Sequence, residues 1–216
     1  MIKCLITRPN HDKVTSYLFQ WSKEIINFKY PTEIQFLDLP AKEANKNKVE
    51  SYLKKQSPKI VLFNGHGDDN TICGFKDEPL IETGKNDELL KDKIIYSLSC
   101  STARKLGESS VNKGTDAFVG YRNSFMLFTD ADSEATPLKD NIAASFLKPS
   151  NKLSISLLKG NTTQEASNKS KKEFKKEIKK FLSSKAIDGS DRIAAALFGE
   201  MSSQVVLGNQ EAKMFL

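Results

Sequence analysis

Hydrophobic and polar positions along the chain change period several times, and each change marks an element. Residues 2–7, Ile2-Lys3-Cys4-Leu5-Ile6-Thr7, form a short apolar run that reads as a buried strand. Over 12–29, Val14, Leu18, Trp21, Ile25 and Ile26 fall on one face, which predicts a helix. A second strand is predicted at 33–39 and an exposed Lys- and Asn-rich helix at 41–56, and Pro58 separates that helix from the apolar run Lys59-Ile60-Val61-Leu62-Phe63. Beyond it, 68–85 has loop character with a small hairpin over Thr71–Phe75 and Pro79–Ile81, and a further strand spans 93–99. A helix over 102–112 stops at Gly114, and Asp116–Tyr121 reads as the next strand. Helices at 133–147, 162–184 and 189–199 and a last strand at Gln204–Leu207 complete the pattern, with no internal repeat or long linker.

Strands alternating with helices predict an α/β fold, a mainly parallel central sheet covered on both faces and joined by right-handed crossovers. In such a sheet the carboxyl ends of the strands form the crevice where ligands bind. Two short polar words sit at such ends: Asn64-Gly65-His66-Gly67 and Ser99-Cys100-Ser101. Though far apart in sequence, His66 and Cys100 are expected at one rim. A cysteine thiolate is a strong nucleophile when a base or positive surroundings favour it, so the pair points to a cysteine hydrolase. Cys100 would attack a carbonyl carbon and His66 would carry the proton. The amides of Gly67 and Cys100 are the candidate oxyanion donors. His66, flanked by glycines, is preferred over His11 as the base, because glycine allows close approach of backbone and substrate. Asn64 and Ser101 are candidate orienting groups. Cys4 reads as a buried apolar side chain and Cys73 as incidental. A Gly-His-Gly word alone is equally the mark of a loop that binds anions or satisfies backbone, and it is the pairing with Cys100 that carries the reading.

Composition narrows the setting. With 216 residues and 38% hydrophobic content, one domain spanning 1–216 with one substantial core is expected. The formal charge of +6 is concentrated late, where Lys169, Lys171, Lys172, Lys175, Lys176, Lys179 and Lys180 interleave with Phe174, Ile178, Phe181 and Leu182. That pattern is an amphipathic helix with a solvated basic face, and a nucleic-acid partner is not indicated. Three cysteines without paired spacing indicate neither a disulfide framework nor a zinc knuckle. No metal or other cofactor is expected, a reducing, cytoplasmic setting fits, and no apolar run is long enough to suggest a membrane partner. Neither a Gly-x-Gly-x-x-Gly word after the first strand nor a Walker-type lysine is present, so a nucleotide-binding reading is poor.

Around these residues the chain resembles the caspase–gingipain–separase group of cysteine peptidases, and within it the CHAT-type domains. The likeness rests on the apolar strand ending in His66-Gly67, the strand ending in Ser99-Cys100-Ser101, and Gly114-Thr115-Asp116-Ala117-Phe118-Val119-Gly120-Tyr121. It covers about residues 58–135, with a weaker echo in Gln204–Asn209. The resemblance implies a caspase-haemoglobinase-like three-layer sandwich, a His66–Cys100 dyad, a Gly67 oxyanion donor and a protein or peptide substrate. Leu98-Ser99-Cys100-Ser101-Thr102 stands where caspases carry Gln-Ala-Cys-Arg-Gly, so aspartate-specific caspase activity is not implied.

Phe128-Thr129-Asp130-Ala131-Asp132 resembles the acidic segment that separases and some CHAT-type enzymes place near the first specificity pocket. Asp130 and Asp132 would there select a basic side chain before the scissile bond, arginine above all. Either residue is equally a cap for a helix starting near Ser133. Arg8 is the opposite candidate: projecting into the pocket, it would favour an acidic side chain. A catalytically silent caspase-like scaffold or regulatory interaction module is the alternative function. Control is expected from an activating protein partner, loop rearrangement, oligomerisation or self-cleavage, with 68–92 and 121–135 as the movable flanks of the cleft and 169–185 as a processing candidate.

Overall fold

The computed structural model describes residues 2–183 and 189–215. Its centre is a six-stranded sheet made of β1 (Ile2–Arg8), β2 (Ile34–Pro40), β3 (Ile60–Asn64), β6 (Ile94–Leu98), β7 (Ala117–Tyr121) and β8 (Gln204–Gly208). The spatial order is β2-β1-β3-β6-β7-β8, with every neighbouring pair parallel except β7 and β8. The small hairpin β4 (Thr71–Cys73) and β5 (Pro79–Glu82) stands apart as a two-stranded sheet.

Strands β3, β6 and β7 are buried along their whole length, as both-face coverage requires. Their alternate side chains serve two cores. Cys4, Ile6, Leu62, Tyr96 and Val119 meet Tyr17, Leu18 and Trp21 of α1 (Lys13–Trp21), Ile25 of α2 (Lys23–Asn27) and Leu147 of α5 (Asn141–Leu158). Leu5, Val61, Phe63, Ile95 and Phe118 meet Val49 and Leu53 of α3 (Lys46–Gln56) and Leu106 of α4 (Lys105–Asn112). The result is helix, sheet, helix. A third cluster joins Phe146 to Phe174 and Phe181 of α6 (Thr163–Phe181) and to Ile193 and Leu197 of α7 (Ser190–Ser203).

Several element boundaries differ from the sequence pattern. The helix read over 12–29 is two helices meeting at Ser22, which caps both. That read over 133–147 starts only at Asn141, and two single 3-10 turns, Ala131–Ser133 and Pro137–Lys139, occupy the earlier part. Asp140 is the reason. Its Oδ1 accepts the amides of Ile142 and Ala143, and its Oδ2 accepts Tyr17 Oη–H at 2.9 Å and the Asp130 amide at 2.8 Å. The helix then runs through Pro149 to Leu158, because its packing outweighs the lost backbone bond. Residues 68–92, expected as a movable flank with few apolar anchors, are anchored instead: Ile72, Leu80, Ile81 and Leu90 are fully buried in the second core. The basic face of α6 is solvated as read, and Lys176 and Lys180 pair with Glu173 and Glu177. The last predicted residue of that helix, 184, and the end of the processing candidate at Lys185 lie outside the described residues.

Candidate active site

Register places the two strand-end words side by side. In the parallel ladder of β3 and β6, Asn64 pairs with Leu98, so His66 and Cys100 each lie two residues beyond the same rung. The Gly65 amide donates to Leu98 O at 3.4 Å and ties the two chain ends together. Gly65 has φ +147°, and a Cβ there would lie 2.6 Å from Cys73 O, so glycine is required for the chain to turn.

Cys100 is held by the loop that follows it. Ser101 adopts the left-handed region at φ +56°, a costly conformation for a non-glycine residue. Bonds from the Ser101 amide to Asn123 O (3.0 Å) and from the Ala103 amide to Tyr121 O (3.1 Å) sustain it. The thiol is half-buried and donates to Phe125 O at 3.8 Å. Burial pushes its pKa up, and the nearby Glu200 charge adds to the effect. The resting sulfur is therefore a thiol that needs a base, not a preformed thiolate.

His66 has a partner that the sequence reading did not assign. Its Nε2–H donates to Asp12 Oδ2 at 2.6 Å, which leaves Nδ1 as the basic nitrogen. Asp12 is the N-cap of α1: its Oδ1 accepts the Thr15 amide at 2.8 Å, and its own amide donates to Thr15 Oγ1 at 3.0 Å. Burial opposes its ionisation, but the bonds from the Thr15 amide, His66 and the Thr15 hydroxyl outweigh it and hold the carboxyl below the usual aspartate range. The legible signal was the capping position itself, Asp-x-x-Thr after the first strand, at the same rim as His66.

The two residues share a cleft of about 170 Å³ lined by Val14, Leu18, Gly65, His66, Leu98, Ser99, Cys100, Phe125 and Leu127. Among the described residues no hydrogen bond joins His66 to Cys100. Catalytic hydrogen bonds are commonly long in a free enzyme and tighten around substrate.

The oxyanion candidates also sit at this rim. Gly67 and Ile72 form an isolated antiparallel bridge whose flanking bonds run from Cys73 N–H to His66 O and from Asp68 N–H to Thr71 O. That pattern is a non-hydrogen-bonded pair, so the Gly67 N–H lies outside the ladder. Neither it nor the Cys100 N–H meets a protein acceptor among the described residues. A Cβ at Gly67 would lie 2.8 Å from Thr71 O, 2.9 Å from Thr102 Cγ2 and 3.0 Å from Ser99 Cβ. Gly67→Ala is expected to cost about 1–3 kcal/mol through overpacking. Urea unfolding checks this, and a midpoint equal to that of the wild type would show that the close approach is not real.

The remaining candidates lie elsewhere. Arg8 does not project into the cleft: its Nε and Nη2 donate to Asp38 at 2.8 and 2.5 Å, and its guanidinium lies over the Phe19 ring at 4.7 Å. Asp130 caps the turn Ala131–Ser133 by accepting the Asp132 amide, and Asp132 is exposed on that turn. Neither carboxylate lines the cleft. Asn64 is buried and donates to Thr7 O, which knits β3 to β1, and Ser101 supplies the turn rather than a cleft wall.

Behind the cleft lies a second acid that no sequence pattern marked. Glu200 of α7 is 2% exposed, and its Oε1 accepts the Met126 amide at 2.7 Å. Its Oε2 has no partner among the described residues. Burial pushes this carboxyl up to about 8, with only the Met126 N–H opposing. Phe125 O and Met126 N belong to one peptide unit, so that unit bridges the Cys100 thiol and the Glu200 carboxylate. Asp140, equally buried, has both oxygens occupied, and the contrast makes Glu200 the exception.

No protein-family model matches the chain, and comparison with curated proteins finds no match either. None of the described helices is long and apolar enough to cross a membrane.

Proposed function

We propose that the chain is a cysteine peptidase of the caspase–gingipain–separase kind, with Cys100 as nucleophile and His66 as its proton carrier. One observation carries the reading: an imidazole and a thiol stand at equivalent positions beyond paired strands and line one cleft. The parallel sheet between helices agrees with the fold that the resemblance implies.

His66 Nδ1 takes the thiol proton as sulfur attacks the carbonyl carbon, and the Gly67 and Cys100 amides hold the oxyanion. The same proton passes to the leaving amine as the C–N bond breaks. Water activated by His66 then hydrolyses the thioester and regenerates the thiol. Asp12 is a positioning residue: it fixes the tautomer of His66 and stabilises the imidazolium that forms, as the aspartate of serine-protease triads does.

A basic residue before the scissile bond is the specificity we assign. The support is the resemblance of Phe128–Asp132 to the acidic segment of separases and CHAT-type enzymes, together with the commitment of Arg8, the candidate for recognising an acidic side chain, to Asp38. Asp130 and Asp132 lie outside the cleft of the free protein and would meet substrate only after the segment moves. A specific observation favours the second reading, a silent scaffold: Phe125 and Leu127 wall the cleft beside Cys100, whose thiol is turned to Phe125 O. At about 170 Å³ the space is also below the roughly 300 Å³ of typical ligand sites, so a peptide must displace the 123–128 strap.

Fluorogenic peptides with Arg, Lys, Asp, Asn or Leu before the reporter separate the readings. The wild-type protein is expected to release dye from the Arg and Lys peptides, and a thiol-directed probe to label Cys100 ahead of Cys4 and Cys73. Release after Asp would keep the dyad and reject the specificity. No release, with Cys100 labelling no faster than the other thiols, would favour the scaffold.

A further inference from the structure

Three potential metal ligands, His11, Asp12 and His66, converge beside the cleft, and a fourth, Asp77, stands next to His11. His66 Nε2 lies 2.6 Å from Asp12 Oδ2, His11 Nε2 lies 3.5 Å from the same oxygen, and His11 Nε2 lies 3.3 Å from Asp77 Oδ1. The donor atoms of His11, Asp12 and His66 all lie within 4.8 Å of one another. In a tetrahedral zinc site with bonds of roughly 2.0–2.1 Å, neighbouring donors are about 3.3 Å apart. Two of the three separations already match that spacing, and the third needs to open by less than one ångström.

The ligands are also held in place before any ion arrives. The His11 side chain is only 10% exposed, and its ring packs edge-on against His66 at 6.0 Å and Phe75 at 5.5 Å. Asp12 is fixed by its capping bonds to Thr15. His11 Nδ1 is buried without a partner. With Nε2–H turned to the carboxylates, that atom is an unpaired acceptor, and with a metal on Nε2 it is an unpaired donor, so binding adds little to a defect already present. Two imidazoles favour zinc over magnesium or calcium, and two carboxylates neutralise the divalent charge.

We propose that His11, Asp12, Asp77 and His66 form a zinc site, and that zinc bound there arrests the peptidase by removing His66 from proton transfer. Metal binding itself stands independently of the peptidase reading, and the inhibition rests on it.

Calorimetric titration of the metal-free full-length protein with ZnCl2, with MgCl2 as comparison, tests the site. The wild type is expected to bind one Zn2+ and no Mg2+. His11→Ala should weaken zinc binding by at least about 10-fold. Asp77→Asn, on an exposed turn, should weaken it several-fold with the fold intact, so an unfolded His11 variant does not decide the matter. Cys100→Ala should bind as the wild type does. Absence of zinc binding by the wild type, affinities unchanged in both ligand variants, or loss of binding in Cys100→Ala would each overturn the site, the last by placing the ion on the dyad thiol. Where peptide hydrolysis is present, zinc must suppress it over the range in which it binds, and Asp77→Asn must shift both curves together. A wild type that binds zinc but hydrolyses no peptide would sink the peptidase reading and keep the site, whereas hydrolysis that persists in zinc-saturated protein would remove the inhibition alone.

Discussion

Cys100→Ala is expected to reduce hydrolysis of an arginyl peptide to background, a fall of at least about 10⁴-fold in kcat/KM. Losing the proposed nucleophile removes the covalent route altogether, and what remains is binding and oxyanion stabilisation around a water with no activated attacking group. The substitution is structurally mild, because the thiol donates only one long bond, to Phe125 O. Asp12→Asn is the informative companion. Asparagine still caps α1 through its side-chain oxygen, so the helix is kept and the negative charge is lost. Hydrolysis should fall by roughly 10- to 100-fold, less than the about 10⁴-fold seen when a buried triad aspartate is neutralised, since solvent screens the carboxylate. Asp12 is 38% exposed, which is the basis for the smaller figure. Initial rates at matched melting temperature decide both. An Asp12→Asn enzyme as fast as the wild type would reduce Asp12 to a helix cap, and residual wild-type rates in Cys100→Ala would remove the thiol from the chemistry.

Glu200→Gln is expected to stabilise the protein at alkaline pH and leave it nearly unchanged near pH 4.5. In the folded chain the Glu200 carboxyl titrates at about 8, against 4.5 for the free side chain. Below about 4.5 both states are protonated and nothing is lost. Between the two values the unfolded state releases a proton that the folded state keeps, so stability falls as pH rises, and the full cost is present above about 8. The difference corresponds to a contribution on the order of 3–5 kcal/mol. Glutamine keeps the acceptor for the Met126 amide and abolishes the titration. In a chain of this size the gain is roughly 10 °C in melting temperature at pH 9. Other groups titrate in both proteins and cancel in the difference between the two curves. Parallel curves from pH 4.5 to 9 would mean that Glu200 is solvated or paired and that the strap is not latched by a buried acid.

The juxtaposition of His66 and Cys100 was legible in the sequence because its signal is local: an apolar run long enough for a buried strand, ended by a short polar word. The side-chain period similarly marked the strands, α1 and the basic face of α6, since burial on one face writes itself into hydrophobic spacing. Boundaries around residues 131–141 were not legible. There Asp140 chooses the helix start through four hydrogen bonds, two of them to Tyr17 and Asp130, and a long-range cap leaves no periodicity.

Roles that depend on pairing were decided by the tertiary structure. Asp12 reads in sequence as a helix cap, and only the parallel register of β3 beside β1 brings it to His66. Arg8 ends β1 and Asp38 lies two residues before the end of neighbouring β2, where their bidentate pair consumes the charge that the sequence left free for a pocket. Glu200 is an unremarkable helix residue until α7 packs it beneath the Phe125–Met126 peptide. By itself the sequence determined the α/β alternation and the two strand-end words, because hydrophobic period and polar strand ends are properties of contiguous residues. The partners of His66, the burial of Glu200 beneath the Phe125–Met126 peptide and the meeting of His11 and Asp12 with His66 were decided by folding alone, because hydrogen-bond reach and desolvation depend on distances that chain order does not encode.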